Sequence, residues 1–252
     1  MEKQFLTILH QRGYPQTTLL ALTDSTNRVV RQLALEGAPQ GTAVFARRQT
    51  AGYGRMGRSF FSPPDTGLYF SVLLRPQKTD AAQITLTAAV AVARAVEKEL
   101  GLAPRIKWVN DLYVHNKKVC GILAQAAHMG NGPAFCVLGI GLNVFAPPEG
   151  FGEFSSVAGA LLDQEPDPTV MANLAAGILD EFFALYEGEL APVLQQYEAR
   201  SYLTGKVVTV VQGDLRRRGK VTGIDRRGAL VVELDGKPCA FLSGEVRLED
   251  YR

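Results

Sequence analysis

Apolar positions in this chain follow two regimes. Up to about residue 204, short apolar runs alternate with stretches in which apolar residues recur every three or four positions; beyond Gly205 that helical spacing is gone. "TTLLAL", residues 17–22, predicts a strand. "DSTN" then offers Asp24, Ser25 or Thr26 as the cap of a helix ending near Gly37. "GTAVFARRQ" and "GLYFSVLLR" predict two further strands, the second largely buried. Asp80 to Leu100 is the clearest helix, with Asp80 as cap, Gln83 as capping-box partner and Gly101 just past its end. "RIKWV", "KKVCGILAQAA" and "AFCVLGIGLNV" predict three strands, the first two joined by "NDLYVHN" as a loop or hairpin. Pro147 and Pro148 close this block, and residues 149–165 are expected to form an exposed loop. Residues 167–203 predict two helices broken near Gly188 and Pro192. The first sixteen residues are assigned no element.

From Gly205 on, "KVVTVVQG", "RRRGKVTGID", "GALVVELDGK" and "PCAFLSGEVRLE" are short β-rich segments separated by Gly turns, Asp235-Gly236 being a good hairpin turn. The pattern predicts a mixed α/β domain over residues 1–204 and a small β-barrel over 205–252.

Composition adds little to this picture. The 252 residues are 46% apolar and 21% charged, with a net charge of +2, so any anion site must be local. Cys120, Cys136 and Cys239 form neither a disulfide framework nor a CxxC zinc pattern. No apolar run reaches the roughly 18 residues of a membrane span, and the N-terminus has no signal-peptide pattern. The expectation is a soluble cytoplasmic protein with no membrane association.

Candidate chemistry starts with the loop "RRQTAGYGRMGRSFFSP", residues 47–63, whose first twelve positions hold three glycines and four arginines and no acid. Gly52, Gly54 and Gly57 allow backbone N–H groups to cradle an anion, and Arg55 and Arg58 supply charge and bidentate donors. The segment is not a P-loop, because no GK[ST] follows, and a strand rather than a helix comes after its GxGxxG spacing. A mobile loop of solvated arginines would look the same. In "KWVND", an extended segment puts Lys107, Val109 and Asp111 on one face, so Lys107 could meet a phosphate and Asp111 a divalent cation. A surface ion pair at a strand end is the plainer alternative. "GIGLNV", residues 139–144, has strand glycines of the kind that mark close approach of a ligand or backbone, or a bulge. Lys118 opens an apolar strand and either enters a cleft or is solvated. His10, His115 and His128 show no ligand spacing. "RRRGK" and Arg226-Arg227 give the small barrel a basic face, read here as a solvated edge that guards the sheet against pairing.

Taken in order, "DSTN", "QTAGYGRMGRSFFSP", "KWVNDLYVHNKKVCGIL" and "GIGLNV" resemble the biotin–protein ligase family. The likeness runs from about residue 17 into the C-terminal barrel. It implies a catalytic domain related to class II aminoacyl-tRNA synthetases, followed by an SH3-like barrel. It also implies two steps: biotin and Mg-ATP give biotinyl-5′-AMP and pyrophosphate, then a lysine of a biotin carboxyl carrier domain displaces AMP. By the same resemblance, Ser25, Thr26 and Gln49, with Asn27 beside them, contact biotin's ureido ring. The backbone from Gly52 through Tyr53 and Gly54 to Arg55 lies along the ligand. Arg55 and Arg58 face the carboxylate and phosphates, and Lys118 reaches the acyl region. Lys107, Asn110, Asp111 and Asn143 belong to the nucleotide side, with Asp111 toward magnesium, while Gly121, Leu123, Gly139 and Leu142 line the apolar pocket. Two departures stand out: Tyr53 replaces a frequent arginine, and Val109 replaces a usual proline. Only a short segment precedes "DSTN", so the expectation is a ligase that binds no operator DNA, as a monomer or homodimer.

Overall fold

The computed structural model describes residues 2–76, 80–128 and 134–248. The last four residues of the predicted barrel lie outside the described residues. Helices are α1 (Glu2–Gln11), α2 (Thr26–Leu35), α3 (Ala81–Leu100), α4 (Pro168–Tyr186) and α5 (Leu190–Ala199). Strands of the first sheet are β1 (Thr17–Leu20), β2 (Ala43–Ala46), β3 (Gly67–Leu74), β4 (Arg105–Lys107), β5 (Asp111–Val114), β6 (Lys117–His128) and β7 (Ala134–Asn143). They lie in the order β1-β2-β3-β7-β6-β5-β4, with β1–β2 parallel and every other pair antiparallel. The second sheet is wholly antiparallel, β11-β10-β9-β8-β12. It comprises β8 (Val207–Gln212), β9 (Leu215–Ile224), β10 (Leu230–Leu234), β11 (Lys237–Phe241) and β12 (Glu245–Leu248).

Strand alternation sorts the first sheet into two faces. On β7, Cys136, Leu138, Ile140 and Leu142 join the large core formed with α3 and α4. Phe135 and Val137 face the other way, into a smaller cluster with Val30 and Ala34 of α2. Farther along that second face the side chains shrink to Gly139 and Gly141, so α2 covers one end of it and leaves the rest open. Asp80 and Gly101 bound helix α3 as the sequence predicts: Asp80 accepts from the N–H groups of Ala82 and Gln83, and Gly101 ends the helix in the left-handed region, with Gln83 taking part through its backbone N–H. The break between the last two helices falls at Gly188, while Pro192 lies inside the first turn of α5, where its missing N–H costs nothing. The segment 110–116, expected as a loop or hairpin, contains the full strand β5, paired on both sides.

Helix α1 is an addition to the sequence reading. Phe5, Ile8 and Leu9 fall at helical spacing. Leu9 is fully buried, and Phe5 meets the Phe45 ring edge-on at 5.2 Å. Arg12 and Tyr14, just beyond it, both bond the Asp180 carboxylate of α4, Tyr14 at 2.7 Å. Among the described residues, α4 is the one helix long and apolar enough to cross a bilayer; its Leu174, Ile178, Leu179 and Phe182 are core residues.

The second sheet docks on the first domain through Trp108, whose indole N–H donates to the Gly228 carbonyl at 3.0 Å. Gly228 has φ +78°, and a Cβ there would lie 2.2 Å from Leu86 Cδ1 of α3. The two domains therefore meet backbone to side chain with no slack. Trp108→Phe is expected to lower stability by about 1–3 kcal/mol, since the Gly228 carbonyl loses its donor in a buried seam. An unchanged denaturant midpoint would show that water replaces the indole.

Candidate active site

The open part of the sheet face floors a cavity of about 610 Å³. Gly121 and Gly141 are cross-strand partners, and the Phe60 ring lies against both. A Cβ on Gly141 would sit 2.4 Å from Phe60 Cε1, and one on Gly121 3.1 Å from Cε2. Gly139 likewise yields its space to Asn27, since a Cβ there would meet Oδ1 at 2.2 Å. These glycines are small because side chains from the opposite wall come down onto them, not because the strand bulges.

One end of the cavity is a neutral hydrogen-bond network. Gln49 Oε1 accepts from the Thr26 N–H at 2.9 Å, and Gln49 Nε2 donates to Ser62 Oγ at 3.1 Å. Thr26 Oγ1 lies 2.7 Å from Ser71 Oγ, which donates to Asn27 Oδ1 at 2.5 Å. Asn27 Nδ2 donates to Gln125 Oε1 at 3.2 Å, and the Tyr53 hydroxyl donates to the same oxygen at 2.9 Å. Ser25 is the cap residue of α2, yet its hydroxyl makes no capping bond and it lines the cavity.

The other end is cationic. Arg55 and Arg58 come from the Gly-rich loop, which turns through Met56 (φ 57°) and Gly57 (φ 71°) and closes with Gly54 N–H to the Arg58 carbonyl at 2.7 Å. Arg55 Nη1 donates to Asn110 Oδ1 at 3.2 Å, and Asn110 Nδ2 is tied to the Ile122 carbonyl at 3.0 Å. Arg58 reaches out of its own domain, pairing with Glu245 Oε2 of β12 at 2.5 Å. Burial alone would push the Glu245 carboxyl up, but bonds from Arg247 and Arg58 hold it below the usual glutamate value. Lys118 Nζ is 2.6 Å from Asp111 Oδ1, an ion pair without hydrogen-bond alignment. Lys107 sits next to them over the Tyr113 ring, and burial lowers its pKa below the ordinary 10.5, with Asp111 opposing the shift. Four cations thus share the cavity with two carboxylates. Asn143 donates to the Gly159 carbonyl at 2.9 Å, while its buried Oδ1 has no hydrogen-bond partner within the protein.

Ser25, Thr26, Asn27, Gln49, Tyr53, Gly54, Arg55, Arg58, Lys107, Asn110, Asp111, Lys118, Gly121, Leu123, Gly139 and Asn143 all line this one cavity. Two expected residues do not. Leu142 is fully buried in the α3-side core, because it has the wrong parity on β7 to share a face with Gly139 and Asn143. Gly52 stands behind the loop, where its carbonyl accepts from Phe60 N–H at 2.9 Å and a Cβ would meet Phe60 O at that same distance. The sequence reading missed Ser71, Gln125 and Glu245. Ser71 had a signal: it is the one aliphatic hydroxyl in a strand buried at every position. The 149–165 segment also differs from an exposed loop, since Phe151, Phe154, Val157 and Ala158 wall the cavity, and Lys117 Nζ pins it by donating to the Ser155 and Ser156 carbonyls at 2.8 and 2.9 Å. Among the described residues no cluster of three His, Cys, Asp or Glu side chains could hold a metal ion.

Residues 19–143 match the model of the biotin/lipoate A/B protein ligase family, and residues 204–248 match the biotin protein ligase C-terminal domain. The bifunctional ligase/repressor BirA of Escherichia coli is 34% identical, over 96% of this chain and 76% of its own. This chain belongs to the biotin–protein ligase family. The biotin–[acetyl-CoA-carboxylase] ligase of Paracoccus denitrificans is 33% identical, over 85% of this chain and 92% of that protein. The solved structure of the Aquifex aeolicus biotin protein ligase in complex with biotin and ATP superposes with a TM-score of 0.79 at 28% identity, covering 93% of this chain and 99% of that one. Membership accounts for the two-sheet architecture: a mixed seven-stranded sheet with its helices, then a five-stranded antiparallel domain.

Proposed function

We propose that this cavity joins biotin to AMP and then delivers the biotinyl group to a lysine of a carboxylase carrier domain. The activity is that of a biotin–[acetyl-CoA-carboxylase] ligase, the name its Paracoccus relative carries. The observation that supports this reading most directly is the division of one cavity into a neutral polar end and a cationic end. A neutral ureido ring suits the first and two anionic groups suit the second. In step one a carboxylate oxygen bonds to the α-phosphorus and pyrophosphate leaves with the bonding pair. In step two the acceptor amine bonds to the acyl carbon and AMP leaves.

Step one brings two anions together. At 4 Å and an effective dielectric near 20, two unit charges repel by about 4 kcal/mol. Arg55 and Lys118 offset that term and stabilise charge developing on the phosphoryl oxygens. Tyr53 folds over the product and Phe60, seated on Gly121 and Gly141, walls it, so that water is kept from the mixed anhydride. The residues present fit magnesium that arrives on the nucleotide rather than a protein-held ion: of the two carboxylates at the cationic end Glu245 is taken by Arg58 and Arg247, which leaves Asp111, and Asn143, whose buried Oδ1 has no partner within the protein, lines the same cavity. When bound, magnesium would neutralise phosphate charge; Asp111 and Asn143 are the residues that would meet it or its water.

Labelled biotin incorporated into an apo carrier domain, with ATP-dependent pyrophosphate release, tests the reading. Efficient transfer of lipoate in place of biotin would reassign the substrate.

Lys107 provides a pH signature. Its pKa is lowered in the fold, so its charge is lost at a lower pH than that of an exposed lysine. Affinity for ATP should therefore fall on the alkaline side as pH rises through that lowered value. Folding stability moves the other way, because the unfolded chain binds more protons in this window. Lys107→Arg keeps its charge and should shift the alkaline rise in KM for ATP upward. Superimposable profiles for the two proteins would take Lys107 out of the nucleotide site.

A further inference from the structure

The basic segment of β9 has no part in the chemistry above, yet the fold places it beside the cavity mouth. Residues 207, 209 and 211 of β8 point outward, their neighbours Val208 and Val210 being buried. Register carries that outer face across three strands: Glu245, Val211 and Arg216 stand side by side, as do Arg247, Thr209 and Arg218, and Val207 stands beside Lys220. Gly219 confirms the parity, since a Cβ there would run into Val232 and Leu234 on the inner side. The face thus carries Arg216, Arg218, Lys220 and Arg247, with Glu245 at its corner. Neither Arg216 nor Lys220 has an ion-pair partner among the described residues, and both are exposed. Glu245 itself lines the cavity and holds Arg58 of the site loop at 2.5 Å. With strands about 4.8 Å apart, Arg216 lies about 10 Å from Glu245, and Lys220 about 13 Å farther along its strand.

We propose that this outer face of the C-terminal sheet is the docking surface for the acceptor, an acidic folded domain that presents its lysine to the cavity. The proposal rests on the ligase reading. A lysine approaching Arg55, Lys107 and Lys118 is repelled by them, so its carrier must bring negative charge, and Arg216 and Lys220, without ion-pair partners among the described residues, stand beside the cavity to meet it. The surface suits a protein better than a nucleic acid. Glu233 and Glu245 interrupt it, and among the described residues no aromatic side chain stands on it to stack a base. Charges at such a rim act mainly on encounter rate and salt dependence.

The test is the double variant Arg216→Glu/Lys220→Glu, assayed with the apo carrier domain of an acetyl-CoA carboxylase at low and at physiological ionic strength. KM for the carrier should rise about tenfold at low salt, the salt dependence should flatten, and pyrophosphate release without carrier should be unchanged. That last measurement also reports that the variant is folded. Arg216→Gln/Lys220→Gln should give a smaller rise of the same sign. An unmoved carrier KM in a variant that still releases pyrophosphate overturns the docking face alone. So does salt-sensitive binding of a labelled oligonucleotide to this face with carrier KM unmoved. A wild-type protein that releases no pyrophosphate overturns the ligase reading itself.

Discussion

Arg55→Ala lowers the rate of adenylate formation by about 10²–10³-fold, or about 2–4 kcal/mol of transition-state stabilisation. Its guanidinium is preorganised: Nη1 is 3.2 Å from Asn110 Oδ1, and Asn110 is itself fixed to the Ile122 carbonyl. A donor already in place spends no reorganisation as charge develops. Arg58 should matter less at this step, since Glu245 engages it and any phosphate must compete for it. Arg55→Lys should recover part of the loss, keeping the charge but not the fork. Single-turnover pyrophosphate release is the measurement. A rate within a factor of a few of wild type would mean that Lys118 and Lys107 carry the phosphoryl charge without it.

Gly139→Ala should cost about 10²-fold in biotin affinity and about 1–3 kcal/mol in stability. In a strand, alanine normally gains on glycine through lower chain entropy, so the sign here is set by contact. The new Cβ would lie 2.2 Å from Asn27 Oδ1, and Asn27 has no room to yield. It is buried on both sides by bonds to Ser71 and Gln125. Displacing it breaks two hydrogen bonds in a buried network and tilts the cap of α2 at Ser25 and Thr26. Titration of the variant with biotin, beside a thermal melt, checks both effects. A variant that binds biotin normally would show that Asn27 is not a contact.

How much of this was legible in the sequence depended on range. Helix α3 announced itself because its signals are local: Asp80 three residues before Gln83, an apolar stripe, and Gly101 at the end. Helix α1 did not, because its stripe is short and gains meaning only against Phe45 and Asp180. The loop arginines and the "KWVND" residues were readable because the chemistry needs those types within a few positions. Ser71 and Gln125 were not, since their partnership with Asn27 spans 44 and 98 residues. Glu245 joins Arg58 across 187 residues, and nothing in "SGEVRLE" points there. Leu142 went to the wrong side for a simple reason: "GIGLNV" reads as one small-residue run, whereas the pleat splits it between cavity and core.

The Ser71 hydroxyl has a consequence of its own. It carries a single proton, and because that proton points at Asn27 Oδ1, Thr26 must give its own to Ser71. Gln49 Oε1 is then served chiefly by the Thr26 N–H at 2.9 Å, with the Thr26 hydroxyl 3.2 Å away as a second, shared donor, and the Gln49 and Asn27 amides each hold one orientation. That end of the cavity works as a stencil cut in one sense. It sorts uncharged rings by where they donate and accept, and leaves recognition by charge to the opposite end.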